Sequence, residues 1–134
     1  MEVKSHSFYS FDFDEKHSLL SFLWTEKTAT MTDADYQAGL RDYGQTMIER
    51  RARRGLIDLR KFRHRPGEHL MSWRTSEIVP MYHKAGLEKF AYVLPEGVPA
   101  PPDDAPAKKE AGEQFLTKRF ATDAAARSWL TAKT

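Results

Sequence analysis

The sequence predicts an α/β (α+β) domain in which helices pack on a mixed β-sheet. Two apolar segments near the start, separated by a short polar turn, are typical of an antiparallel hairpin. Later in the chain, short apolar runs at Leu56–Leu59 and Phe90–Leu94 alternate with helical patterns. Such strand–helix–strand units form right-handed parallel crossovers, so the hairpin and the crossovers together predict one sheet with both kinds of strand pairing.

The hairpin is predicted from the alternation of apolar and polar residues. The first strand spans His6–Asp14, where Phe11 and Phe13 share one face. Asp14–His17 is a short polar turn, and Ser18–Thr25 forms the second strand, which is apolar on parts of both faces. Because strands joined by so short a turn run antiparallel, the fold opens with a hairpin.

The first helix begins after Thr32, a good N-cap. Asp35 stands at the third helical position, where Glu or Gln would complete a capping box, so we expect only a partial box. Gly55 is the predicted stop. Gly39 and Gly44 each lower the helix propensity by about 1 kcal/mol relative to Ala, which a close helix–sheet approach would explain. One apolar stripe at helical spacing consists of Tyr36, Leu40, Tyr43 and Met47.

A second helix follows the central strand. It begins near Gly67 or Glu68 and ends at Ala85–Gly86. Pro80 lies inside this segment and removes a backbone donor, so we expect a kink or a restart there.

The last part of the chain contains a long loop, a strand and a helix. Five of the seven prolines lie in residues 95–112, which we predict to be an exposed loop. Gln114–Ala121 is the last strand, and Thr122 caps the terminal helix. The whole chain, 1–134, is predicted to form a single domain.

The composition excludes several classes of protein. The chain of 134 residues has no Cys, so disulfides, thiolate metal sites and cysteine nucleophiles are absent. Lys and Arg total 21 against 19 Asp and Glu, a balance that gives no reason to expect nucleic-acid binding. No apolar run is long enough to cross a membrane, and Met1–His6 lacks the pattern of a signal peptide. We therefore expect a soluble cytoplasmic protein without stable membrane insertion.

A basic run in the middle of the chain looks like a nucleic-acid patch when it is considered alone. Eight of the sixteen residues from Arg50 to Arg65 are Arg or Lys. The predicted strand Leu56–Leu59 divides the run into two groups, which a strand of four to six residues would hold about 13–20 Å apart on opposite edges of the sheet. The first group carries the positive charge that favours the end of a helix.

The second basic group lies at the carboxyl end of a predicted parallel strand, just before a helix. Ligands of open α/β sheets bind in that crevice, and helix N-termini attract anions. A phosphate or a carboxylate is the ligand that such an edge favours, although no glycine-rich phosphate motif accompanies it. A solvated loop or a partner surface is the alternative interpretation. The candidate binding residues are Arg63, His64, Arg65, Gly67 and His69.

Catalytic and metal-binding patterns are weak in this sequence. His64 and His69 stand five residues apart, whereas paired ligands on one helix face usually stand four apart, so we predict no metal site and no cofactor. Asp58 ends a strand, where a capping or arginine-paired role is more ordinary than acid–base catalysis. We assign no catalytic residue, and an enzyme that pairs Asp58 with His64 or His69 remains an alternative.

The aromatic residues permit more than one interpretation. They either build the core or line a hydrophobic ligand pocket. The Trp24 end of the hairpin and the Tyr36–Tyr43 stripe are also candidates for an apolar patch that contacts a second subunit.

Several segments, in order, carry a family resemblance: Leu23-Trp24-Thr25, Met31–Tyr36, Gly55–Arg60, Lys89–Val93 and Arg119–Leu130. This order resembles the SpoIIAA-like proteins, bacterial domains of the STAS/SEC14-like fold. The most specific part is the ending, in which Phe120 precedes a capped Ala-rich helix that finishes in Trp129-Leu130.

The resemblance implies a small STAS-like mixed sheet with helices on it. In the anti-sigma-factor antagonists of this fold, a Ser at the start of the helix after a central strand is phosphorylated. The corresponding segment here, Arg60–His69, contains no Ser or Thr, so the resemblance does not imply a phospho-switch. SEC14-like relatives hold lipids in an apolar cavity, but this chain is too short to contain the additional helices that cover it.

Two functions are therefore expected for this chain. The first is a non-catalytic interaction or regulatory module that binds a protein partner or a second copy of itself, with a homodimer as the expected assembly. The alternative is a small-molecule or lipid-binding protein that uses an apolar pocket with an anion-binding edge at Arg63–His69.

Overall fold

A computed structural model, which describes residues 1–132, contains a six-stranded mixed sheet with helices on both faces. The strands are β1 (Glu2–Ser5), β2 (Tyr9–Asp14), β3 (Leu19–Trp24), β4 (Arg54–Asp58), β5 (Lys89–Val93) and β6 (Leu116–Phe120). The helices are α1 (Asp33–Arg50), α2 (Leu70–Trp73), α3 (Val79–Ala85) and α4 (Asp123–Thr131), with a 3-10 helix at Glu26–Thr30 and a π-helical turn at Arg74–Ile78.

The strands lie side by side in chain order. β1, β2 and β3 pair antiparallel, whereas β3, β4, β5 and β6 pair parallel. This arrangement confirms the predicted α/β class and the mixed sheet that opens with an antiparallel hairpin.

Two apolar cores lie on opposite faces of the sheet. Residues that alternate along a strand point to opposite faces, so Ile57 faces the α1–α3 side and Leu56 faces α4. The larger core, against α1 and α3, is built around Phe11, Phe22, Tyr43, Tyr82 and Phe90, each at most 1% exposed. The smaller core, under α4, consists of Leu19, Leu56, Ala91, Val93, Phe120, Ala126 and Leu130.

The first helix begins as predicted but ends differently. Asp35 completes the capping box, because its carboxylate accepts the Thr32 amide at 2.9 Å while its own amide donates to the Thr32 hydroxyl at 3.2 Å. The expectation of a partial box was wrong: the shorter Asp side chain reaches the N-cap. The helix ends at Arg50, and Arg51 adopts the left-handed conformation, with φ of 54°.

Three glycines near the first helix have their positions decided by packing. Gly55 is not the helix stop but lies inside β4, where a Cβ would stand 2.9 Å from the Tyr43 hydroxyl. Gly39 allows the predicted close approach to the sheet, since a Cβ there would meet the Trp24 ring at 2.9 Å. Gly44 instead lies against Met81 of α3.

The amino-terminal strand was not predicted. The predicted strand at His6–Asp14 begins only at Tyr9, and β1 precedes it at the edge of the sheet. β1 is mostly exposed, and its register with β2 shifts between Glu2 and Lys4. Its sequence shows no apolar alternation, so only the pairing with β2 defines it as a strand.

The second helix runs from Leu70 to Ala85 without a break, but a π-helical turn interrupts its regular α-helical bonding just before Pro80, where we expected a kink or a restart. α2 begins at Leu70, the π-helical turn follows, and Pro80 lies in the first turn of α3. Pro80 lacks the N–H that a regular helix would bond to the Ser76 carbonyl, and the wider π-helical turn accommodates that loss. The segment ends at Ala85, with Gly86 in the left-handed conformation at φ of 88°.

The predicted Pro-rich loop at 95–112 contains no helix or strand, but one residue ties it to the sheet. Lys108 exchanges two backbone hydrogen bonds with Thr117, at 3.1 and 2.7 Å, along the outer edge of β6. The loop therefore shields an edge that would otherwise present unpaired backbone groups. After β6, Thr122 caps α4 as predicted.

Candidate functional site

The sequence-predicted site lies in the segment 59–69, at the carboxyl end of the parallel strands. Buried β4 separates the two basic groups, as predicted. At the amino end of β4, Arg53 pairs with Glu88 at 3.0 Å, and Arg54 donates to the His17 carbonyl oxygen at 2.7 Å. Of the two basic groups, only the second lies at the carboxyl end of the sheet.

The first anchor of this segment is an ion pair between Asp58 and Arg60. The Asp58 side chain is 5% exposed and accepts from Arg60 Nε and Nη2 at 3.0 and 2.6 Å. Asp58 also accepts the Arg60 backbone amide at 3.0 Å. A carboxylate held by a guanidinium and an amide at once is a strong, directional contact, so it sets the path of the chain as it leaves β4.

The second anchor joins the segment to the 3-10 helix after β3. Thr28 is fully buried, and its hydroxyl accepts the backbone amide of Arg63 at 2.7 Å while donating to the Thr25 carbonyl at 2.7 Å. The Arg63 side chain is exposed and donates to the Arg60 carbonyl at 3.1 Å. The backbone is thus fixed while the guanidinium stays at the surface.

The third anchor is a carboxylate of the chain itself, that of Asp33 at the start of α1. Asp33 Oδ1 lies 2.8 Å from His64 Nε2 and accepts the Gly67 amide at 3.4 Å. Hydrogen bonding to His64, the larger cause, and to Gly67 lowers the pKa of Asp33. His69 lies beside Gly67, since a Cβ on Gly67 would stand 2.8 Å from its ring. Asp33 therefore bonds to His64 and the Gly67 amide, two of the groups that we expected to bind an external anion.

The predicted binding residues consequently fall into two groups. His64, Gly67 and His69 gather around Asp33, whereas Arg63 and Arg65 are exposed. The helix that follows offers little to an anion, because α2 is four residues long and the Leu70 amide already donates to the Gly67 carbonyl.

Two shallow grooves meet at the carboxyl end of the sheet. Each has a volume of about 390 Å³, and both are lined by Glu26 and Lys61. Leu23, 39% exposed, lies in one of them. We call this region the carboxyl-end surface. Its defining residues are Leu23, Glu26, Lys27, Arg60, Lys61, Arg63 and Glu96, with the exposed Arg65 in the adjoining loop.

Two of the three residues of the enzyme hypothesis are bonded to other partners. Asp58 is held by Arg60, and His64 is bonded to Asp33. Asp58 lines a cleft of about 290 Å³ beside α4, which also contains the ion pair between Asp123 and Arg127 at 2.8 Å. Asp12, the third carboxylate of this cleft, pairs with the Met1 amino group at 3.0 Å. Each carboxylate is thus engaged with a cation, an arrangement that orders side chains rather than freeing an acid or base.

The predicted apolar patch for a second subunit lies in the interior. Trp24 and Tyr43 are 1% and 0% exposed. Tyr36 stacks on Trp24, with ring centroids 5.8 Å apart. The interpretation of this stripe as a subunit contact was wrong, because α1 packs it against the sheet.

Sequence reasoning missed a buried polar network around the π-helical turn. Arg74 donates from Nη2 to the Tyr92 hydroxyl at 2.8 Å and from Nη1 to Glu113 at 3.5 Å. The Glu113 side chain is 1% exposed and also accepts the Thr117 hydroxyl at 2.7 Å. Burial, the larger effect, disfavours the charged guanidinium, but Tyr92, Tyr82 and Glu113 together raise the pKa of Arg74 above its ordinary value.

A second layer of the network joins it to β6. Arg119 holds both oxygens of Glu110, and this pairing lowers the Glu110 pKa. The Glu110 amide donates to Glu113 at 3.2 Å, which links the two layers. The Tyr82 hydroxyl is buried without a hydrogen-bond partner among residues 1–132.

One sequence signal for the network was available. Arg74 stands four residues after Leu70 and four before Ile78, both of them buried, so it occupies a core-facing position of the helical segment. A charged residue at such a position requires a buried partner. That partner, Glu113, comes from a distant loop, which no periodicity indicates.

Within the part of the chain that the structure describes, His, Asp and Glu side chains form no group of three able to hold a metal ion. Across residues 1–132, no helix has both the length and the apolar character that a membrane crossing requires. The chain matches no protein-family model, no curated protein and no solved structure in the comparisons made with them. The resemblance to SpoIIAA-like proteins stays a prediction.

Proposed function

We propose that this chain is a non-catalytic interaction module that binds an acidic segment of a partner protein through the carboxyl-end surface. The observation that carries the proposal is an excess of exposed positive charge around an exposed leucine. Four cationic side chains, Lys27, Lys61, Arg63 and Arg65, form no ion pair among residues 1–132. They outnumber the three exposed glutamates of the surface and its adjoining loop, Glu26, Glu68 and Glu96.

The shape and composition of the surface support a protein segment as the occupant. An apolar centre with a charged rim is typical of protein interfaces, and arginine is enriched in them. Leu23 provides the apolar contact, and the two grooves that meet beside it give an extended polypeptide a path over the surface. Complementary charge favours an acidic partner and speeds its encounter with the surface.

Rigidity of the segment 59–69 also supports the proposal. The three anchors at Asp58, Thr28 and Asp33 hold its backbone, so binding would order side chains rather than a whole loop. A surface that is already ordered loses less conformational entropy when it binds.

The test uses two double variants that change the net charge equally. Lys27→Glu with Lys61→Glu reverses two charges on the carboxyl-end surface, and Lys16→Glu with Lys84→Glu reverses two exposed charges at the opposite end of the sheet. The probe is a fluorescein-labelled 12-residue peptide of Asp and Glu with one Leu, and its Asn/Gln counterpart is the neutral control. Binding is measured by fluorescence anisotropy at two salt concentrations.

We expect the acidic peptide to bind the native chain and the control variant alike, and to lose at least tenfold in affinity to the Lys27/Lys61 variant. Higher salt should weaken binding, because the contact depends on screened charges. Leu23→Ser should weaken binding at both salt concentrations. An equal loss of affinity in both double variants would contradict the proposal, and so would a neutral peptide that binds as tightly as the acidic one. Dimerisation of the chain through this same surface would also contradict it.

A further inference from the structure

We propose that the cavity beside the π-helical turn binds the carboxylate of a small organic acid, with Arg74 as the principal contact. This cavity has a volume of about 460 Å³ and lies between the turn and the loop before β6. It is distinct from the carboxyl-end surface, and the inference does not depend on the proposed function. The residues that line it include Met71, Ser72, Arg74, Thr75, Glu110 and Glu113.

Arg74 has more N–H donors than it has acceptors within the protein. A guanidinium carries five N–H donors. Arg74 uses one on Tyr92 and one, at the long distance of 3.5 Å, on Glu113, and its other donors have no acceptor among residues 1–132. The Arg74 side chain is 21% exposed and lines the cavity, so its unused donors are accessible from it.

The carboxylates of the cavity are already hydrogen-bonded within the protein, and their counter-charges are Arg119 for Glu110 and Arg74 itself for Glu113. Glu110 is held at both oxygens by Arg119. Glu113 Oε1 accepts the Thr117 hydroxyl and the Glu110 amide. Internal donors occupy both oxygens of Glu110 and Oε1 of Glu113, and Oε2 of Glu113 contacts only Arg74, at 3.5 Å. The unused donors of Arg74 are therefore the groups that a ligand with acceptor oxygens would satisfy. Paired oxygens of a carboxylate match the planar guanidinium best.

The remaining walls favour an organic acid rather than a bare inorganic anion. Met71 is 78% exposed and lines the cavity together with Ala111. A short alkyl group on the ligand would cover these apolar atoms and remove them from water. The π-helical turn places Arg74 at the cavity, and such turns occur often at functional sites.

The test is an NMR titration of the full 15N-labelled chain with sodium butyrate, followed at the Arg74 side-chain Nε–H resonance. Butyramide, which has the same shape without the charge, is the matched control ligand. We expect butyrate to shift the Arg74 resonance in a saturable manner and butyramide to bind at least tenfold more weakly. No saturable shift with butyrate, or an equal response to both ligands, would overturn the proposal.

Variants connect the response to the cavity. Arg74→Lys keeps the charge but loses the planar pair of donors, and we expect butyrate binding to fall at least tenfold, observed through the backbone amides of Thr75 and Ser76. Ala111→Trp places a large side chain in the cavity from an exposed position, and we expect it to weaken butyrate binding too. It replaces the Arg74 variant if that variant fails to fold. Arg50→Lys, at the exposed carboxyl end of α1, is the control and should bind butyrate like the native chain. Unchanged butyrate binding in Ala111→Trp would place the ligand elsewhere and refute the assignment.

Discussion

Two arginine–carboxylate pairs of this molecule, Arg60–Asp58 and Arg74–Glu113, differ in how their guanidinium groups face water. Arg60 is 49% exposed above a buried aspartate, whereas Arg74 is 21% exposed and its glutamate 1%. The first pair orders a surface loop and leaves charge at the surface. The second satisfies a charge inside the fold, and its loss would leave a buried ion. Similar chemistry thus orders an exposed loop in one place and satisfies a buried charge in the other.

The largest expected effect comes from breaking the buried pair. Arg74→Met keeps the bulk of the side chain but leaves Glu113 uncompensated in the interior, which should lower the free energy of unfolding by about 3 kcal/mol. Arg63→Met, at an exposed position, should change it by no more than about 0.5 kcal/mol. Urea unfolding of both variants measures the difference, and similar small changes in both would show that the Arg74 network contributes little to stability.

The next effect distinguishes two buried tyrosines. Tyr43 donates to the Leu20 carbonyl at 2.6 Å and accepts the Leu56 amide at 3.1 Å, whereas the Tyr82 hydroxyl has no partner among residues 1–132. Tyr43→Phe should therefore cost about 1–3 kcal/mol, and Tyr82→Phe should be neutral or slightly stabilising.

Urea unfolding of the two variants also checks this comparison. A loss in Tyr82→Phe as large as that in Tyr43→Phe would mean that the Tyr82 hydroxyl bonds to a group such as an internal water.

A smaller effect is expected at the anchor of the carboxyl-end surface. Thr28→Val keeps the shape but removes the acceptor of the Arg63 amide, at a cost of about 1 kcal/mol. Thr30→Val, at an exposed position of the same 3-10 helix, is the matched control. Amide hydrogen exchange should speed up at Arg63 in the Thr28 variant alone. Equal exchange rates in the two variants would show that the Thr28 hydroxyl does not protect the Arg63 amide.

The smallest effect concerns pH. Arg119 lowers the folded-state pKa of Glu110 below its ordinary value of 4.5, so the ion pair contributes stability that is present above that pH and is lost as the pH falls through the folded pKa. Both side chains are more than a third exposed, which limits the contribution to a few tenths of a kcal/mol.

The free energy of unfolding should fall less between pH 6 and pH 3 in Glu110→Gln than in Glu77→Gln, a control at an exposed position. Parallel curves for the two variants would indicate that water screens the Glu110 pair completely.

Local patterns sufficed wherever one segment carries its own signal. The alternation around Phe11 and Phe13 predicted β2, Thr32 and Thr122 predicted two helix starts, and Pro80 predicted an irregularity in the second helix. β1 was missed because a strand at the edge of a sheet needs no apolar pattern. The predicted anion site stays a prediction, and the pattern around His64 gave no sign of its actual partner, because Asp33 lies 31 residues away in the sequence.

Short-range physics, in the form of side-chain alternation, helix capping and backbone donors lost at proline, was enough to define the order of the main elements after β1 and the division of the basic run. Tertiary structure alone decided which charges meet. Asp33 with His64, Thr28 with Arg63, and Arg74 with Glu113 are contacts between distant segments. In each pair one side chain, namely His64, Thr28 or Glu113, is largely removed from water and therefore requires a polar partner. Burial is a property of the packed chain, so no stretch of residues read by itself contains it.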